Sequence, residues 1–490
     1  VTIRYIVQRA ATREVLTYDA PIVTHDSLNW QLNGAGSVEL LIEPAVRRQV
    51  AADGLPMYGT WLTLISIEED GQLRFRGIVK SMTWTGEQWK MRVPSITTYP
   101  YGQAYEGDAF YGAKVDPADV IRRVWAHVQS FADSDLAVRV VGKTPVRIGS
   151  FSTQNKADTL AAYNAAVKAY NTENAALKQL RDQATASNKA AGDLRDTRTT
   201  RNQQLNAAKK TKNPTAIAAA QTAYNAADAA VRAQEADYAA KRAAVDRQAA
   251  VVKDRKATKD AASAQKTAAS KAAKDDGGAY TLLPWEAPDC GRTIDDVTTL
   301  APLDWYERHY WEGDEPRTEI VVAYPRAGRR LSGDTDPTFE QGVNIMIPLE
   351  PEDDGDDYAN AVYGVGAGEG PGSLRRSTAK RDGRLRRSKA FSDKSEKNAA
   401  SMDRKLAVEL NRTMQGLGVT KIVVVADHPN AKRGSYDVGD EIYIVGDVPN
   451  LGPFAAWHRI TGITDKQNGT VELDVALAST FIYGKGLDDS

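Results

Sequence analysis

The stretch AAYNAAVKAYNTENAALKQL (161–180) and its counterpart AIAAAQTAYNAADAAVRAQEADYAAKRAAVDRQAAVV (216–252) decide how this chain is organised. From about Asn155 to Lys274 the chain is dominated by Ala, Lys, Arg, Asp, Gln and Asn, and Tyr is its only aromatic. In the second stretch Ile217, Tyr224, Val231, Tyr238, Val245 and Val252 recur every seven residues. In the first arm Tyr163, Tyr170, Leu177, Ala184, Ala191 and Leu205 keep the same interval, with Arg198 as the exception. Leu180 and Leu194 add the seam position three residues on. A sustained heptad predicts a coiled-coil seam. Asn213-Pro214 lies near the middle. Asn is a good N-cap and Pro suits the first helical position, so a second helix is expected to start there. Two arms around one turn predict an antiparallel hairpin, each arm roughly 85 Å long at 1.5 Å per residue. Gly277-Gly278 closes the segment, and Gly192 is a place for the first arm to bend. Many seam positions are only Ala, so the hydrophobic drive per residue is weak. The competing reading is a disordered low-complexity linker. Alanine's helix propensity and the regular Tyr, Val and Ile positions weigh against it.

Outward from this segment the chain reads mainly as strands. Leu28, Trp30 and Leu32 alternate with polar neighbours, as do Val38, Leu40 and Ile42 after Gly34-Ala35-Gly36. Period two marks a half-buried strand. TWLTLISIEE runs into Asp70-Gly71, a strong hairpin pair, then RFRGIVKSMTW, Gly86 and QWKMRV. An antiparallel sheet or small barrel is expected. Asp116 and Pro117 open a short helix with Val120, Ile121, Val124, Trp125 and Val128 on one face, and LAVRVV follows as a strand. Beyond the hairpin, Ile294, Val297 and Leu300 suggest another short helix, followed by strands through WYERHYW and TEIVVAY. A helix is expected near Asp393, with Glu396 in capping-box spacing and Met402, Leu406, Leu410 and Met414 as its stripe. The C-terminus returns to strands, with Asn468-Gly469 as a hairpin turn.

The bulk numbers set limits. A length of 490 residues fits about three domains. A formal net charge of -1 argues against a protein whose whole surface binds nucleic acid or an anionic membrane. Mean hydropathy is -0.46, and no apolar run approaches the roughly 20 residues of a membrane span. The opening VTIRYIVQRA lacks the order of a secretion signal, and its missing methionine is read as processing or trimming. Cys290 is the only cysteine, so no intrachain disulfide or cysteine zinc site can form, and a reducing compartment is expected. His25, His127, His309, His428 and His458 are far apart, and none has HExxH spacing.

The chemical motifs are weak. GVGAGEG lacks the GK[ST] ending of a phosphate loop, and Glu369 breaks GxGxxG spacing, so a tight strand connection is the expectation. EPEDDGDD lacks EF-hand spacing and reads as a solvated acidic loop rather than a weak cation site. The basic residues Arg375, Arg376, Lys380, Arg381, Arg384, Arg386, Arg387 and Lys389 are a candidate contact segment, toward phosphates or an acidic partner surface, but as one loop in a neutral protein they read more simply as plain surface or subunit contact. There is no GxSxG, Cys290 has no placed base, and the pair Asp295 and Asp296 proves nothing alone. Trp305, Tyr306, Tyr310 and Trp311 could make a sugar platform but read more simply as strand residues. No catalytic residue, cofactor or metal site is expected.

Several features taken in order resemble a known group. They are Trp30 with Gly34-Ala35-Gly36-Ser37, Phe75-Arg76-Gly77-Ile78, then Asn360-Ala361-Val362-Tyr363-Gly364 running into Gly366-Ala367-Gly368-Glu369-Gly370 and a helix, and Tyr436-Asp437-Val438-Gly439-Asp440 before a strand. This order, over residues 1–150 and 280–485, resembles the minor tail proteins of long-tailed (siphovirus) actinobacteriophages, the hub proteins at the tail tip. The Ala-rich hairpin departs from that pattern as an insertion. The resemblance implies an α+β fold: mainly β hub domains, as antiparallel sheets or small barrels, with an inserted long antiparallel α-helical coiled-coil hairpin. The expected division is 1–105, 106–150 with 280–350, 151–279 for the hairpin, 351–392 as a connection, and 393–490. It further implies a structural virion protein, made in the host bacterial cytoplasm, that assembles as a homotrimer, closes the tail tube and takes part in host attachment and DNA ejection. Implied partners are copies of itself, the distal tail protein, the tape measure protein, other minor tail proteins, the host envelope, and phage DNA in transit. The alternatives are a host-envelope adhesin and, more weakly, a tail-associated cell-wall hydrolase.

Overall fold

The computed structural model describes residues 2–301, 303–351, 355, 358–394, 396–414, 418–449 and 451–481. The chain divides into two units, Val1–Phe151 with Lys274–Ser490, and Ser152–Ala273. The fold is α+β, with antiparallel sheets in the first unit and two long adjacent helices in the second. Most of EPEDDGDD lies outside the described residues.

Turn chemistry and alternation build the first unit. Asp70 and Gly71 both take positive φ, 47° and 84°, the twist that a tight hairpin between Thr63–Glu69 and Gln72–Ile78 requires. These strands join Ile3–Arg9 and Val15–Thr17 in a four-stranded sheet. A nine-stranded sheet packs against it. Its path runs Phe339–Glu340, Glu441–Val448, Gly452–Lys466, Thr24–Gln31, Ser37–Ile42, Trp89–Pro94 and Ser81–Trp84. Thr470–Leu477 and Lys421–Val425 branch from Gly452–Lys466. Leu28, Val38, Leu40 and Ile42 present one buried face to Ile65, Ile67 and Phe75 of the smaller sheet, and that seam is a core.

The larger sheet joins the two ends of the chain. Gly452–Lys466 pairs antiparallel with Thr24–Gln31, placing Ile463 opposite Trp30 and Asp465 opposite Leu28. The division expected at residue 105 and again at 393 therefore runs through one sheet. Alternation shows which face of a strand is buried and says nothing about which strand lies beside it.

A second core surrounds the helix Pro117–Val128. Asp116 caps it by accepting from Ala118 N at 3.0 Å, and Val120, Ile121, Val124, Trp125 and Val128 are buried. They pack with Ile294 and Val297 of the helix Cys290–Leu300 and with Trp305 and Ile320 from neighbouring strands. The helix expected near Asp393 begins later, at Ala399–Thr413, with Asn398 as its cap. Glu396 is not the third residue of that helix; its carboxylate instead accepts from Asn398 N at 2.7 Å and from Ser401 Oγ at 2.6 Å.

His458 shows how burial sets a titration in the C-terminal sheet. It is fully buried, its Nε2 accepts from Val419 N at 3.1 Å, and Nδ1 lies 3.1 Å from the Ala456 carbonyl. Both contacts fit one neutral tautomer, and burial holds the pKa below the usual histidine value. A folded pKa below the unfolded one means that the unfolded chain binds more protons as pH falls below about 6.5. Stability should therefore decline from pH 6.5 downward, by up to about 1.4 kcal/mol per pH unit from this residue, and be flat above. Urea midpoints between pH 5 and 8 should show this slope in the native chain and a shallower one in His458→Gln.

The second unit is made of the helices Ser152–Thr211 and Pro214–Asp275. Asn213 Oδ1 accepts from Thr215 N at 3.0 Å and Ala216 N at 3.3 Å, starting the second helix as the Asn-Pro pair predicts. Ser187 bonds Asp237 at 2.6 Å, Arg195 bonds Glu235 at 2.8 Å, and Gln248 bonds the Glu173 carbonyl at 3.1 Å. Rising numbers on one helix meet falling numbers on the other, so the two lie side by side and antiparallel.

In the first unit the chain stretches flanking this insertion meet at a glycine neck. Ser150 N donates to Gly278 O at 2.8 Å. Gly149 has φ +73°, and a Cβ there would fall 2.3 Å from the Gly112 carbonyl, so only glycine fits.

Candidate functional site: assembly surfaces and a buried polar cavity

The heptad residues of the second unit are buried or half-buried. Leu177, Leu205 and Val231 are buried, and Tyr163, Tyr170, Leu180, Leu194, Ile217, Tyr224, Tyr238, Val245 and Val252 are half-buried. Ala191 and Val231 are both 0 % exposed. Arg198, the break in the repeat, is half-buried and lies 3.3 Å from Asp228 of the other arm. The tyrosines meet cations: Lys266 sits 4.1 Å from the Tyr163 ring and Lys259 4.5 Å from the Tyr170 ring. Ser187 is buried and bonded by both Asp237 and Gln234. The Asp237 carboxyl is held below the usual carboxylate range by its bonds from Lys241 and Ser187. Sparse apolar burial with polar cross-links gives register more than cohesion.

The basic segment forms part of a small sheet. Arg375–Ala379 runs antiparallel and Ser388–Ser392 parallel to the central strand Ala361–Val365. Arg376 grips Asp403 with two bonds of 2.7 and 2.5 Å, Lys389 lies 3.2 Å from Glu409, and Arg384 covers the Tyr358 ring at 4.8 Å. Arg375 bonds the Pro371 carbonyl at 2.9 Å. Lys380, Arg381, Arg386 and Arg387 are exposed, and between them Leu385 is 88 % exposed. Several of the eight cations are thus held within the chain, and the rest surround a protruding leucine. The glycines before the segment serve packing. A Cβ on Gly364 would lie 2.7 Å from Leu406 Cδ2, and one on Gly366 would lie 2.6 Å from the Glu396 carbonyl. They let the strand and the following turn approach the helix Ala399–Thr413.

The strand Ser81–Trp84 ends the nine-stranded sheet and exposes its edge. Trp84 is 46 % exposed there, 5.6 Å from the Trp89 ring, and Arg47 lies 5.8 Å from Trp89. An open edge with aromatic and arginine side chains has the composition of a contact surface.

Where the two ends of the chain meet the centre, a partly enclosed polar cavity of about 240 Å³ opens among Trp30, Arg74, Glu307, His309, Tyr436 and Asp437. The side chains of Glu307 and His309 are 7 and 3 % exposed, with His309 Nε2 3.5 Å from Glu307 Oε2. Glu307 Oε1 accepts from Ser95 Oγ at 2.7 Å and Thr97 N at 3.1 Å, while His309 Nδ1 meets Thr318 Oγ1 at 3.1 Å. Among the described residues Tyr436 Oη finds no hydrogen-bond partner, His309 Nε2 has only the distant Glu307 carboxylate, and Arg74 Nε lies 3.4 Å from Glu69 Oε2. Burial pushes the Asp437 carboxyl up. Such a lining suits water or a small polar solute, with donors and acceptors on both sides. No group of three or more His, Cys, Asp or Glu side chains among the described residues could hold a metal ion. The cavity is not legible in the sequence because its members lie on segments far apart in the chain, and the unpartnered atoms of His309 and Tyr436 are brought together only by folding.

The other chemical candidates resolve into structure. Cys290 is fully buried, and burial pushes its thiol up to about 12, away from the thiolate a nucleophile needs. Trp305 points into the core of the helix Pro117–Val128, whereas Tyr306 on the opposite face packs with the C-terminal strands. Asp295 accepts from Tyr101 Oη at 2.8 Å.

No family model matches the chain, and no curated protein does. Solved structures that resemble it include the 43 kDa tail protein of prophage MuSo2 from Shewanella oneidensis, 5 % identical, with a TM-score of 0.47 over 98 % of this chain and 100 % of that one. A tail protein from Neisseria meningitidis MC58 is 10 % identical, with a TM-score of 0.45 over 98 % of each chain. The prophage tail protein gp18 from Listeria monocytogenes EGD-e is 10 % identical, with a TM-score of 0.42 over 96 % of this chain and 94 % of that one.

Proposed function

We propose that this chain is a structural component of a phage tail, placed at the tail tip as a hub, working by packing against copies of itself and neighbouring tail proteins rather than by chemistry. The observation that carries the reading is the order of its sequence signatures, each of which has a structural task in the β body. Phe75-Arg76-Gly77-Ile78 lies in the strand Gln72–Ile78, and Ala361–Val365 is the centre of the small basic sheet. Tyr436-Asp437-Val438-Gly439-Asp440 makes a turn in which Asp440 accepts from Asp437 N at 2.9 Å and from Arg329 N at 2.8 Å before Glu441–Val448 begins. Pairing of Gly452–Lys466 with Thr24–Gln31 ties distant parts of the sequence into one body, which suits a subunit that works by packing against copies of itself. In this reading the sheets form barrel-like modules that meet three-fold, the basic segment and the aromatic edge face neighbouring subunits, and the two helices pack knobs-into-holes as a coiled coil. Attachment to the host envelope and release of DNA follow from opening of that ring.

Two measurements test this. Immunogold labelling of intact particles should place the protein at the tail tip, and label elsewhere on the virion sinks the assignment. The native mass should be about three times the 53.3 kDa chain and should stay three-fold after residues 152–273 are replaced by a short Gly-Ser link. A monomer in the shortened chain moves assembly into the helices, and a monomer in the full chain removes the ring.

A further inference from the structure

The near-neutral total hides a division of charge. Ser152–Ala273 contains 21 Lys and Arg against 11 Asp and Glu, a formal +10, whereas the remainder holds 42 against 53, a formal -11. Within the helical unit the imbalance is sharpest around the turn between the helices. Residues 197–227, from after Asp196 to before Asp228, carry Arg198, Arg201, Lys209, Lys210 and Lys212 and no carboxylate. Arg198 is engaged by Asp228 at 3.3 Å. Arg201, Lys209, Lys210 and Lys212 are exposed, and Arg201 has a neutral partner in Gln204 at 2.9 Å. At 1.5 Å per residue these four span roughly 16 Å of one arm and the turn. Exposed amides of Asn202, Gln203 and Asn206 lie among them.

The same stretch has no apolar anchor on its surface. Leu205 is 3 % exposed, and Ile217 and Tyr224 are half-buried in the seam. A specific protein interface needs a desolvated apolar or aromatic centre, and an interfacial helix needs a broad apolar face. Cations and amides without either give binding that is electrostatic, tolerant of sequence and steeply salt-dependent, which is how proteins hold a phosphodiester backbone.

We propose that the turn end of the helical unit is a binding surface for the nucleic-acid phosphate backbone, formed by Arg201, Lys209, Lys210 and Lys212. This inference stands on charge and exposure and does not depend on the tail assignment. Four phosphate contacts imply a slope of log K against log salt near -3.6 for duplex DNA, so affinity should fall about 150-fold between 50 and 200 mM salt. The test is fluorescence anisotropy of the full chain with a labelled duplex of about 30 base pairs, one DNA turn being about 10 base pairs. Two unrelated sequences should bind equally. The quadruple variant R201Q/K209Q/K210Q/K212Q keeps helix propensity, so its far-UV spectrum should match the native one while binding weakens at least about 100-fold and the slope flattens. Unchanged binding by the variant, a slope near zero, or tighter binding to vesicles of anionic lipid than to the duplex overturns the proposal.

Discussion

Asp304→Ala should destabilise the β body by about 3–5 kcal/mol, because it leaves a buried guanidinium without its counter-charge. Arg459 is 1 % exposed and Asp304 6 % exposed, and their side chains are hydrogen-bonded and ion-paired to one another. Asp304 also accepts from Asn33 Nδ2 at 3.0 Å and Ala327 N at 2.7 Å, and Arg459 donates to the Gly439 and Ala327 carbonyls at 3.1 Å each. Asn33 Oδ1 in turn accepts from Trp305 N at 2.7 Å. One carboxylate thus ties an N-terminal turn, the central strands and the C-terminal sheet. Removing it strands several donors in a dry site, and each orphan adds its own desolvation cost. The readout is clean: none of the nine tryptophans lies in residues 152–273, so tryptophan fluorescence follows the body alone. The urea midpoint by fluorescence should drop sharply in Asp304→Ala, with helical circular dichroism of the insertion retained at intermediate urea. A change under about 1 kcal/mol means the network carries no net weight.

The opposite sign is expected at Arg76. It too is buried, at 0 % exposure, but only Nη1 has a partner, the Leu136 carbonyl at 3.1 Å, while Nε and Nη2 have none among the described residues. Burial, with Arg317 and Arg13 nearby, pushes its pKa down to about 9. A charge whose folded pKa lies below its unfolded one is held at a cost at neutral pH, and that cost fades only as pH rises past the folded value. Arg76→Met should therefore stabilise the body by about 1–4 kcal/mol at pH 7, raising the fluorescence midpoint. Loss of stability in this variant would falsify the view that Arg76 is an uncompensated charge.

Local signals in the sequence were sufficient wherever the physics is local. The Asp70-Gly71 and Asn468-Gly469 turns, the cap at Asp116 and the restart at Asn213-Pro214 all depend on neighbours within a few positions. What the sequence hid depends on partners far away. Asp304 and Arg459, 155 positions apart, look like ordinary surface charges until the chain between them is folded. The pairing of Thr24–Gln31 with Gly452–Lys466 has no sequence mark, because several strands share the same alternation. The late start of the helix Ala399–Thr413 follows from Asn398, whose side chain caps Ser401 N at 2.9 Å in a segment where Glu396 offered a competing box. The cavity at His309 and Tyr436 was invisible for the same reason of distance.

The junction between Gln31 and Gly462 also constrains how the protein is made. A ribosome adds roughly 5–20 residues per second, so the strand that receives Gly452–Lys466 waits some 20–90 seconds after its own synthesis. During that interval the nascent N-terminal sheet presents an unpaired border, while the alanine-rich insertion can fold as soon as it emerges because its contacts are within itself. Slowing translation late in the message, or truncating it before residue 452, should make the product recruit chaperones or aggregate, whereas the helices alone should remain folded in the fragment.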